Sequence, residues 1–427
     1  MLWALKNEGQ AMELIDIFAL LISLTALFSY LNHRFIGLPT TIGVMFIAMA
    51  VSLLLILLDA SGFHLRQQAQ VMVDGIDFDK TLLQGMLSFL LFAGALHINL
   101  DDLLSRKWII AILATFGTLM SALLVGAFAW YGLKAFGIEF SFIHCLLFGA
   151  LISPTDPIAV LSILKTTGAP KSLEIKIAGE SLFNDGIGVV LFLVVLEVAT
   201  GTHEPSAGHI GSLLLQEVIG GAGLGVGVGY LAFRMLKSVD NYQVEILISL
   251  ALVTGGYTLA DRLHFSGPIA IVVAGLLIGN HGRLFAMSSQ TRHQLDTFWE
   301  LLDEILNAVL FVLIGLEILI ITFTWHVLLL SLMIIPMVLA ARFISIGIPI
   351  TLLSRFRTFS PGVVRILTWG GLRGGISVAL ALSIPPSPQR PIILTFTYIT
   401  VLFSILVQGT TIKPIINKFM NYRNITI

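Results

Sequence analysis

The sequence is poor in charged residues and almost free of cysteine. Charged side chains make up 11% of the 427 residues and the formal net charge is -1, so nothing indicates a nucleic acid or another broadly charged partner. The one cysteine, Cys145, cannot form an intrachain disulfide. Because no second thiol or nearby histidine pair could complete a metal site with it, Cys145 is predicted to be a small buried hydrophobic side chain.

The sequence also lacks long polar stretches. Its longest predicted loop, Asp59 to Asp79, has about 20 residues, which is too short for a separate folded domain. The chain is therefore predicted to be one domain, residues 1–427, whose function takes place within its apolar segments.

Apolar residues are abundant instead. They make up 56% of the chain, and the mean hydropathy of +0.95 is far above that of a soluble domain. Runs of about 20 apolar residues, the length that crosses a bilayer, predict an all-α polytopic membrane protein with about 13 transmembrane helices. The predicted spans lie near residues 13–31, 39–58, 80–98, 108–133, 142–164, 174–199, 211–235, 244–261, 268–283, 299–322, 326–353, 362–383 and 391–416. The first run lacks a cleavage site of small residues and is predicted to be a retained helix.

Lysine and arginine are concentrated in every second loop. The rich loops contain Arg34, Arg106, Lys107, Lys165, Lys171, Lys176, Arg234, Lys237, Arg283, Arg292, Arg355, Arg357, Lys418 and Arg423, whereas the alternate loops have single basic residues or none. Because cytoplasmic loops carry the excess of basic residues, the N-terminus is predicted to lie outside and the C-terminus in the cytoplasm, across the cell (inner or plasma) membrane.

Two acids, Glu180 and Asp185, interrupt the sixth apolar run. An ionisable side chain at membrane depth is costly, so it is expected to face the bundle interior and to mark an ion or proton path. On a helix, Glu180 and Asn184 share one stripe and Ser181 and Asp185 the next, so both stripes can face one cavity. The alternative is that the two acids only join neighbouring helices.

A second polar interruption, Ser153-Pro154-Thr155-Asp156-Pro157, lies inside the fifth span. Its two prolines remove backbone donors and break the helix, and a broken helix is tolerated in a membrane only where protein or a cavity surrounds it. The freed Thr155 carbonyl could then bind a cation. The carboxylate of Asp156 could balance the positive dipole end of the half-helix that starts near Pro157. A proline kink with a hydrogen-bonded Asp156 is the alternative.

The third interruption contains four glycines around Arg373, at Trp369-Gly370-Gly371-Leu372-Arg373-Gly374-Gly375. This density predicts an unwound segment. The two breaks fall in the fifth and twelfth spans, which correspond in an inverted repeat of six helices and point to a transporter site. The glycines Gly221, Gly225 and Gly229, by contrast, predict close helix packing.

Together the motifs Ser153 to Pro157, Gly179 to Gly186 and Gly370 to Gly374 resemble the NhaP/NHE-type sodium/proton exchangers of the cation:proton antiporter superfamily. The resemblance covers essentially the whole chain. It implies an NhaA-like fold with two broken crossing helices, a homodimer and no cofactor. Core helices near 108–199 and 326–416 would move against dimerisation helices near 13–98 and 211–322.

The resemblance also implies site residues. Asp185 would be the carboxylate for which sodium and protons compete, with Thr155, Asp156, Ser181 and Asn184 completing the cation- and proton-binding site and Na+ bound at Asp185, Thr155 and Ser181. Asn184 stands where electrogenic relatives have a second aspartate, which implies electroneutral exchange by alternating access. Burial raises the pKa of a carboxylate toward neutrality in general, so protons can compete with cations at physiological pH. Our hypothesis is that Asp185 titrates in this way.

Glu180 and Arg373 resemble the buried ion pair of the family, and an unpaired Glu180 would be a costly buried charge. The third span departs from some members because residues 81–98 contain no acid. His97, near the cytoplasmic end of that span, could sense pH or only cap the helix. Three acids, Glu300, Asp303 and Glu304, could attract cations or form a solvated helix end.

Two other classes of function remain as alternatives. An intramembrane aspartyl protease would need Tyr-Asp and Gly-x-Gly-Asp patterns, whereas here the acids follow Thr155 and Asn184. A passive cation channel could also have an oxygen-lined site, but broken helices in an inverted repeat favour alternating access. The sequence leaves Na+, K+ and Li+ open as the transported cation.

Overall fold

The computed structural model describes residues 14–59, 78, 81–157, 160–161, 164, 171–201, 207–319, 325–357 and 359–421. These residues form helices joined by short loops, and they contain no β-strand beyond one isolated bridge. The first half has α1 Leu14–Leu31, α2 Thr40–Leu58, α3 Leu87–Leu96, α4 Leu100–Ser105, α5 Lys107–Ile112, α6 Thr118–Ala135, α7 Phe142–Ile152 and α8 Lys171–Thr200. The second half has α9 Ala207–Leu236, α10 Tyr242–Arg262, α11 Gly267–Leu277, α12 Ser289–Leu316, α13 Trp325–Leu353, α14 Val363–Trp369, α15 Gly375–Leu382, α16 Arg390–Phe403 and α17 Gly409–Asn421.

The predicted all-α membrane architecture is confirmed. Among the described residues, eight helices are long and apolar enough to cross a membrane, and three shorter apolar helices accompany them. A helical segment lies at each predicted span, although the number of membrane crossings stays a prediction. The predicted loop between Asp59 and Asp79 lies almost entirely outside the described residues.

Helix α12 begins well before its predicted span of 299–322. Ser288 caps its first turn, because the side-chain oxygen accepts a hydrogen bond from the backbone N–H of Thr291 at 3.3 Å. The added turns are amphipathic: Leu295 and Trp299 are buried, while Glu300 is exposed. A search for continuous apolar runs misses such turns because half of their surface is polar.

The glycine row in α9 packs as predicted. A Cβ atom at Gly221 would lie 2.7 Å from the Ser266 carbonyl oxygen, and one at Gly229 would lie 3.1 Å from the Cα of Ala274. A Cβ at Gly225, between them, would overlap the backbone of the same facing segment. The absence of side chains therefore lets α9 and α11 approach at backbone distance. Cys145 is also as predicted, since it is a free thiol that is 1% exposed.

Both predicted helix breaks are present. Helix α7 ends at Ile152, residues Ser153–Pro157 are not helical, and a helical bond resumes where the Leu161 N–H donates to the Pro157 carbonyl at 2.8 Å. The segment between α14 and α15 is also unwound, from Gly370 to Gly374. Helix α8 is packed beside α7 and carries the acidic motif past the first break.

Candidate functional site

The two breaks meet at one backbone hydrogen bond. The Asp156 N–H donates to the Leu372 carbonyl at 2.8 Å, which makes the isolated antiparallel bridge of the fold. Each break leaves backbone groups without helical partners, so pairing one break with the other satisfies part of that need inside the protein. The bridge places the Ser-Pro-Thr-Asp-Pro and Gly-Gly-Leu-Arg-Gly motifs at one point, as the family resemblance implied.

Thr155 is fixed to α8 by three short contacts. Its hydroxyl oxygen accepts from the Asn184 amide nitrogen at 2.9 Å and lies 3.0 Å from the Ser181 hydroxyl. Its backbone N–H faces the Asn184 side-chain oxygen at 3.3 Å. Asn184 thus uses both ends of its amide on Thr155. In this structure it positions the broken helix, which differs from a side chain that points freely at an ion.

Asp185 is buried close to this network, with 8% of its surface exposed. Within the described residues its carboxylate makes no hydrogen bond or ion pair, although its charge interacts with that of Asp156. Asp156 is partly buried and also has other partners. Two carboxylates at the crossing of two broken helices are suited to hold a cation or a proton between them.

Glycines let the parts of the site approach one another. A Cβ at Gly374 would overlap the Asp156 carboxyl oxygen and lie 2.7 Å from the Cβ of Asp156. A Cβ at Gly188 would overlap the ring of Pro154. Side chains at these two positions would therefore push α8 and the second break away from the first break.

Arg373 binds backbone carbonyls at the first break. Its Nη1 atom donates to the Ser153 carbonyl at 2.5 Å and to the Pro154 carbonyl at 2.8 Å. The guanidinium is 2% exposed. A cation is stabilising at the negative C-terminal end of a helix, so Arg373 stabilises the end of α7 where the prolines have removed helical hydrogen bonds.

The predicted ion pair between Glu180 and Arg373 is wrong, because the structure pairs Glu180 with a different arginine. Arg342 Nη1, on α13, lies 2.6 Å from Glu180 Oε1, and both side chains are at most 3% exposed. Arg373 donates its hydrogen bonds to backbone carbonyls instead, although its charge still interacts with that of Glu180. A Cβ at Gly371 would lie 2.7 Å from Arg342 Nε, so this pair is also packed against the second break.

Arg342 was missed from the sequence although a signal was present. It is the single charged residue between Trp325 and Leu353, and a lone cation deep in an apolar span calls for a buried partner. The pairing was predicted with Arg373 because that residue is the cation near the middle of its span and lies in the Gly-rich motif. Sequence spacing does not say which of two arginines on different helices reaches α8.

Two polar residues near the last helices fix the second break. Ser404 Oγ accepts from the Arg373 backbone N–H at 2.8 Å, and the Gln408 amide donates to the Trp369 carbonyl at 2.9 Å. Both residues belong to a π-helical turn, Ser404–Gln408, between α16 and α17. Such turns are frequent at functional sites, but nothing in the apolar pattern distinguishes Ser404 from other hydroxyl residues of the same span.

The other sequence candidates lie around this centre. His97 is exposed at the end of α3, where Nδ1 lies 2.8 Å from the Ala93 carbonyl, so it caps that helix. Of the three acids on α12, Glu300 and Glu304 are exposed, whereas Asp303 is partly buried and its charge interacts with Asp156. Asp303 is therefore the acid of this group that is shielded from solvent.

The chemistry of the site follows from its atoms and charges. Thr155 and Ser181 offer oxygen atoms, as do the two aspartates, and hard cations such as Na+ prefer oxygen. Glu180 is paired with Arg342 and Arg373 binds backbone carbonyls, so the carboxylates of Asp156 and Asp185 are the acids available at the crossing itself. A monovalent cation or a proton bound there would offset their negative charge. Among the described residues no cluster of three His, Cys, Asp or Glu side chains could hold a transition metal.

Comparison with known proteins agrees with these observations. The transmembrane sodium/hydrogen exchanger family matches residues 22–418. The chain is 50% identical over 410 residues to the Na(+)/H(+) antiporter NhaP of Pseudomonas aeruginosa, covering 95% of this chain and 97% of that protein. It is 37% identical over 347 residues to the Na(+)/H(+) antiporter NhaH of Halobacillus dabanensis, covering 80% of this chain and 83% of that one.

A solved structure gives the same fold. The sodium proton antiporter MjNhaP1 of Methanocaldococcus jannaschii, at pH 8, matches with a TM-score of 0.75 and 19% sequence identity, covering 96% of this chain and 100% of that one. The family resemblance and the fold predicted from the three motifs are thereby confirmed.

Proposed function

We propose, since the chain belongs to the transmembrane sodium/hydrogen exchanger family, that it is a secondary antiporter that exchanges Na+ for protons. It is a multi-pass membrane transporter and not an enzyme. The observation that best supports a site at Asp185 is that this carboxylate is buried on α8 one helical turn after Ser181, whose hydroxyl contacts Thr155 at the first break.

We further propose that Na+ and a proton bind alternately at Asp185. Na+ would be held by the carboxylate and by oxygen atoms of Thr155 and Ser181, with Asp156 close by. A proton would neutralise the same carboxylate and remove its attraction for the cation. The two ions would then exclude one another, and this exclusion couples their movements. Asn184 would act by holding Thr155 in place.

This assignment is tested in reconstituted vesicles. A pH gradient is imposed with no Na+ gradient, and Na+ accumulation is followed. The wild type should accumulate Na+ against its gradient, whereas Asp185→Asn should lose at least about 100-fold of the rate because the exchanged charge is gone. Asp240→Asn removes an exposed carboxylate outside the site and should leave the rate unchanged.

Two results would refute the proposal. Full exchange by Asp185→Asn would remove this residue from the site. Na+ movement that follows only its own gradient, without proton coupling, would make the protein a channel. Repeating the experiment with K+ and Li+ would identify the preferred cation, because both offer the same charge with a different radius.

We also propose that the exchange is electroneutral, with one Na+ for one proton. The support is the neutral amide of Asn184 beside Asp185, at the position where a second aspartate would add another exchangeable charge. Rapid addition of Na+ to protein adsorbed on a solid-supported membrane should then give no transient current. A current that grows with the transport rate would contradict this stoichiometry.

The proposed mechanism is alternating access by movement of the core helices, residues about 108–199 and 326–416, against the remaining helices. The most extensive helix packing supports it, because α6 with α7 and α13 with α16 fall within the first group, while α9 with α11 and α2 with α12 fall within the second. A homodimer in the plasma membrane, with the C-terminus in the cytoplasm, completes the proposal. Cross-linking in membranes and protease access from either side would test these two points.

A further inference from the structure

A large groove lies outside the proposed ion site, near the start of α14. It has a volume of about 1430 Å³ and lies between the last turns of α13, the start of α14 and the end of α17. Its walls are mostly apolar and include Phe343, Ile344, Ile348, Leu352, Val364 and Phe419. The groove is open, since Ile348 and Leu352 are 52% and 65% exposed.

Three basic side chains border this groove. Arg355, Arg365 and Lys418 all line it and all are exposed. The Arg365 guanidinium lies 5.3 Å from the centre of the Phe419 ring, which places the positive charge directly beside the apolar wall. None of the residues that line the groove is acidic. The groove therefore combines a positive rim with an apolar floor.

The position of the groove relative to the membrane follows from its neighbours. Arg357, just after α13, donates to the Ser105 carbonyl at 3.2 Å, and Ser105 precedes the basic pair Arg106 and Lys107. These residues belong to the basic loops that predict the cytoplasmic side. The apolar floor continues along α13 toward the bilayer, while the three cations lie at the end of the bundle where lipid headgroups begin.

We propose that this groove binds an anionic phospholipid of the cytoplasmic leaflet. Its phosphate would lie among Arg355, Arg365 and Lys418, and an acyl chain would cover the apolar side chains of α13. Basic pockets between transmembrane helices on the cytoplasmic side are suited to such headgroups. A free phosphate ion would leave the apolar floor uncovered, and a zwitterionic lipid would leave the positive rim uncompensated.

The binding is measured directly on the purified, delipidated protein. Native mass spectrometry with added phosphatidylglycerol should show a bound lipid that phosphatidylcholine does not replace. The variant Arg355→Gln/Arg365→Gln/Lys418→Gln should weaken phosphatidylglycerol binding on the order of 100-fold, since each interfacial cation accounts for about 5-fold. Arg234→Gln/Lys237→Gln removes two exposed cations from the end of α9, at the same predicted side, and should bind like the wild type.

A second variant fills the groove and keeps its charge. A Cβ at Gly347 would lie 3.7 Å from Val364 Cγ1, which is ordinary contact, so Gly347→Leu extends a side chain into the groove without forcing α13 away from α14. It should also lower phosphatidylglycerol binding at least about 10-fold, and an unchanged melting temperature would show that the fold is intact.

Three results would overturn the proposal. Equal binding of phosphatidylcholine would mean only non-specific lipid contact. Full competition by glycerol phosphate or inorganic phosphate would identify a phosphate site without a lipid. Undiminished phosphatidylglycerol binding by both Gly347→Leu and the triple variant would place any bound lipid elsewhere. Because each readout is lipid binding, failure here would leave the proposed exchange activity unaffected.

Discussion

The break at Ser153–Pro157 and the break at Gly370–Gly374 share one backbone hydrogen bond, but they contribute different groups to the site. The first presents the side chains of Thr155 and Asp156 next to α8. The second presents backbone at Leu372 and directs Arg373 onto the carbonyls of the first. Prolines free carbonyl groups by removing donors, and glycines allow another chain to approach those groups.

The first break thus contributes side chains to the proposed ion site, whereas the second break supports the geometry of the first. Substitutions at the first break should change transport more than stability, because its side chains belong to the proposed ion site. Substitutions at the residues that support the second break should change stability or the geometry of both breaks. The two buried arginines also have different roles. Arg342 neutralises the charge of Glu180, whereas Arg373 stabilises the carbonyl groups at the end of α7.

The largest expected effect is on the stability of Arg342→Gln. This change removes the ion-pair partner of the buried Glu180, which costs about 3–5 kcal/mol. The double variant Glu180→Gln/Arg342→Gln should recover most of the loss in a thermal unfolding experiment in detergent. In Arg373→Gln, Glu180 keeps its partner, so adding Glu180→Gln should bring no recovery. If Glu180→Gln restored stability to Arg373→Gln but not to Arg342→Gln, Glu180 would be paired with Arg373 and not with Arg342.

The next effect concerns the contact between the two breaks. Gly374→Ala places a methyl group against the Asp156 carboxyl and should lower the exchange rate about 100-fold, because a displacement of about 1 Å has that effect on a positioned group. Gly255→Ala, in α10 with nothing within 4 Å of its Cβ, is the matched control. If vesicle transport were equal in the two variants, the close approach of the breaks would have no role.

A smaller effect is expected at Thr155. Thr155→Val keeps the shape of the side chain but removes the hydroxyl that lies between Ser181 and Asn184, so the KM for Na+ should rise about 10-fold, equivalent to about 1.4 kcal/mol. Thr395→Val removes a buried hydroxyl that bonds only within its own helix and should leave KM unchanged. Equal KM values for the two variants would argue against Thr155 as part of the site.

The smallest effect is expected at Ser404, which supports the second break. Ser404→Ala removes the acceptor of the Arg373 N–H and should reduce the free energy of unfolding by about 1 kcal/mol. Ser331→Ala, whose hydroxyl bonds to the Val327 carbonyl of the same helix, serves as the control and should cost less. A loss of transport in Ser404→Ala at unchanged stability would assign Ser404 a role in the exchange itself.

Much of this molecule could be predicted from its sequence, because the apolar length and the helix-breaking residues of a membrane helix are both visible in a short stretch of sequence. Apolar runs predicted the helices, the two clusters of helix-breaking residues predicted both breaks, and the family resemblance implied that the broken helices cross. The start of α12 was missed, since its first turns are only half apolar. Asn184 was expected to face the ion, whereas its amide is bonded to Thr155. The predicted ion-binding roles of Asp185, Asp156, Thr155 and Ser181 stay predictions.

The sequence by itself determined that the protein is a helical membrane transporter with buried acids, because each unpaired polar group in an apolar span must have a use or a partner. Only the tertiary structure decided which partner each group has. Arg342 and Arg373 both lie deep in apolar spans, so the sequence does not say which of them pairs with Glu180; the packing of α13 against the second break brings Arg342 to it. A pair between distant helices depends on where those helices lie, which local sequence does not encode.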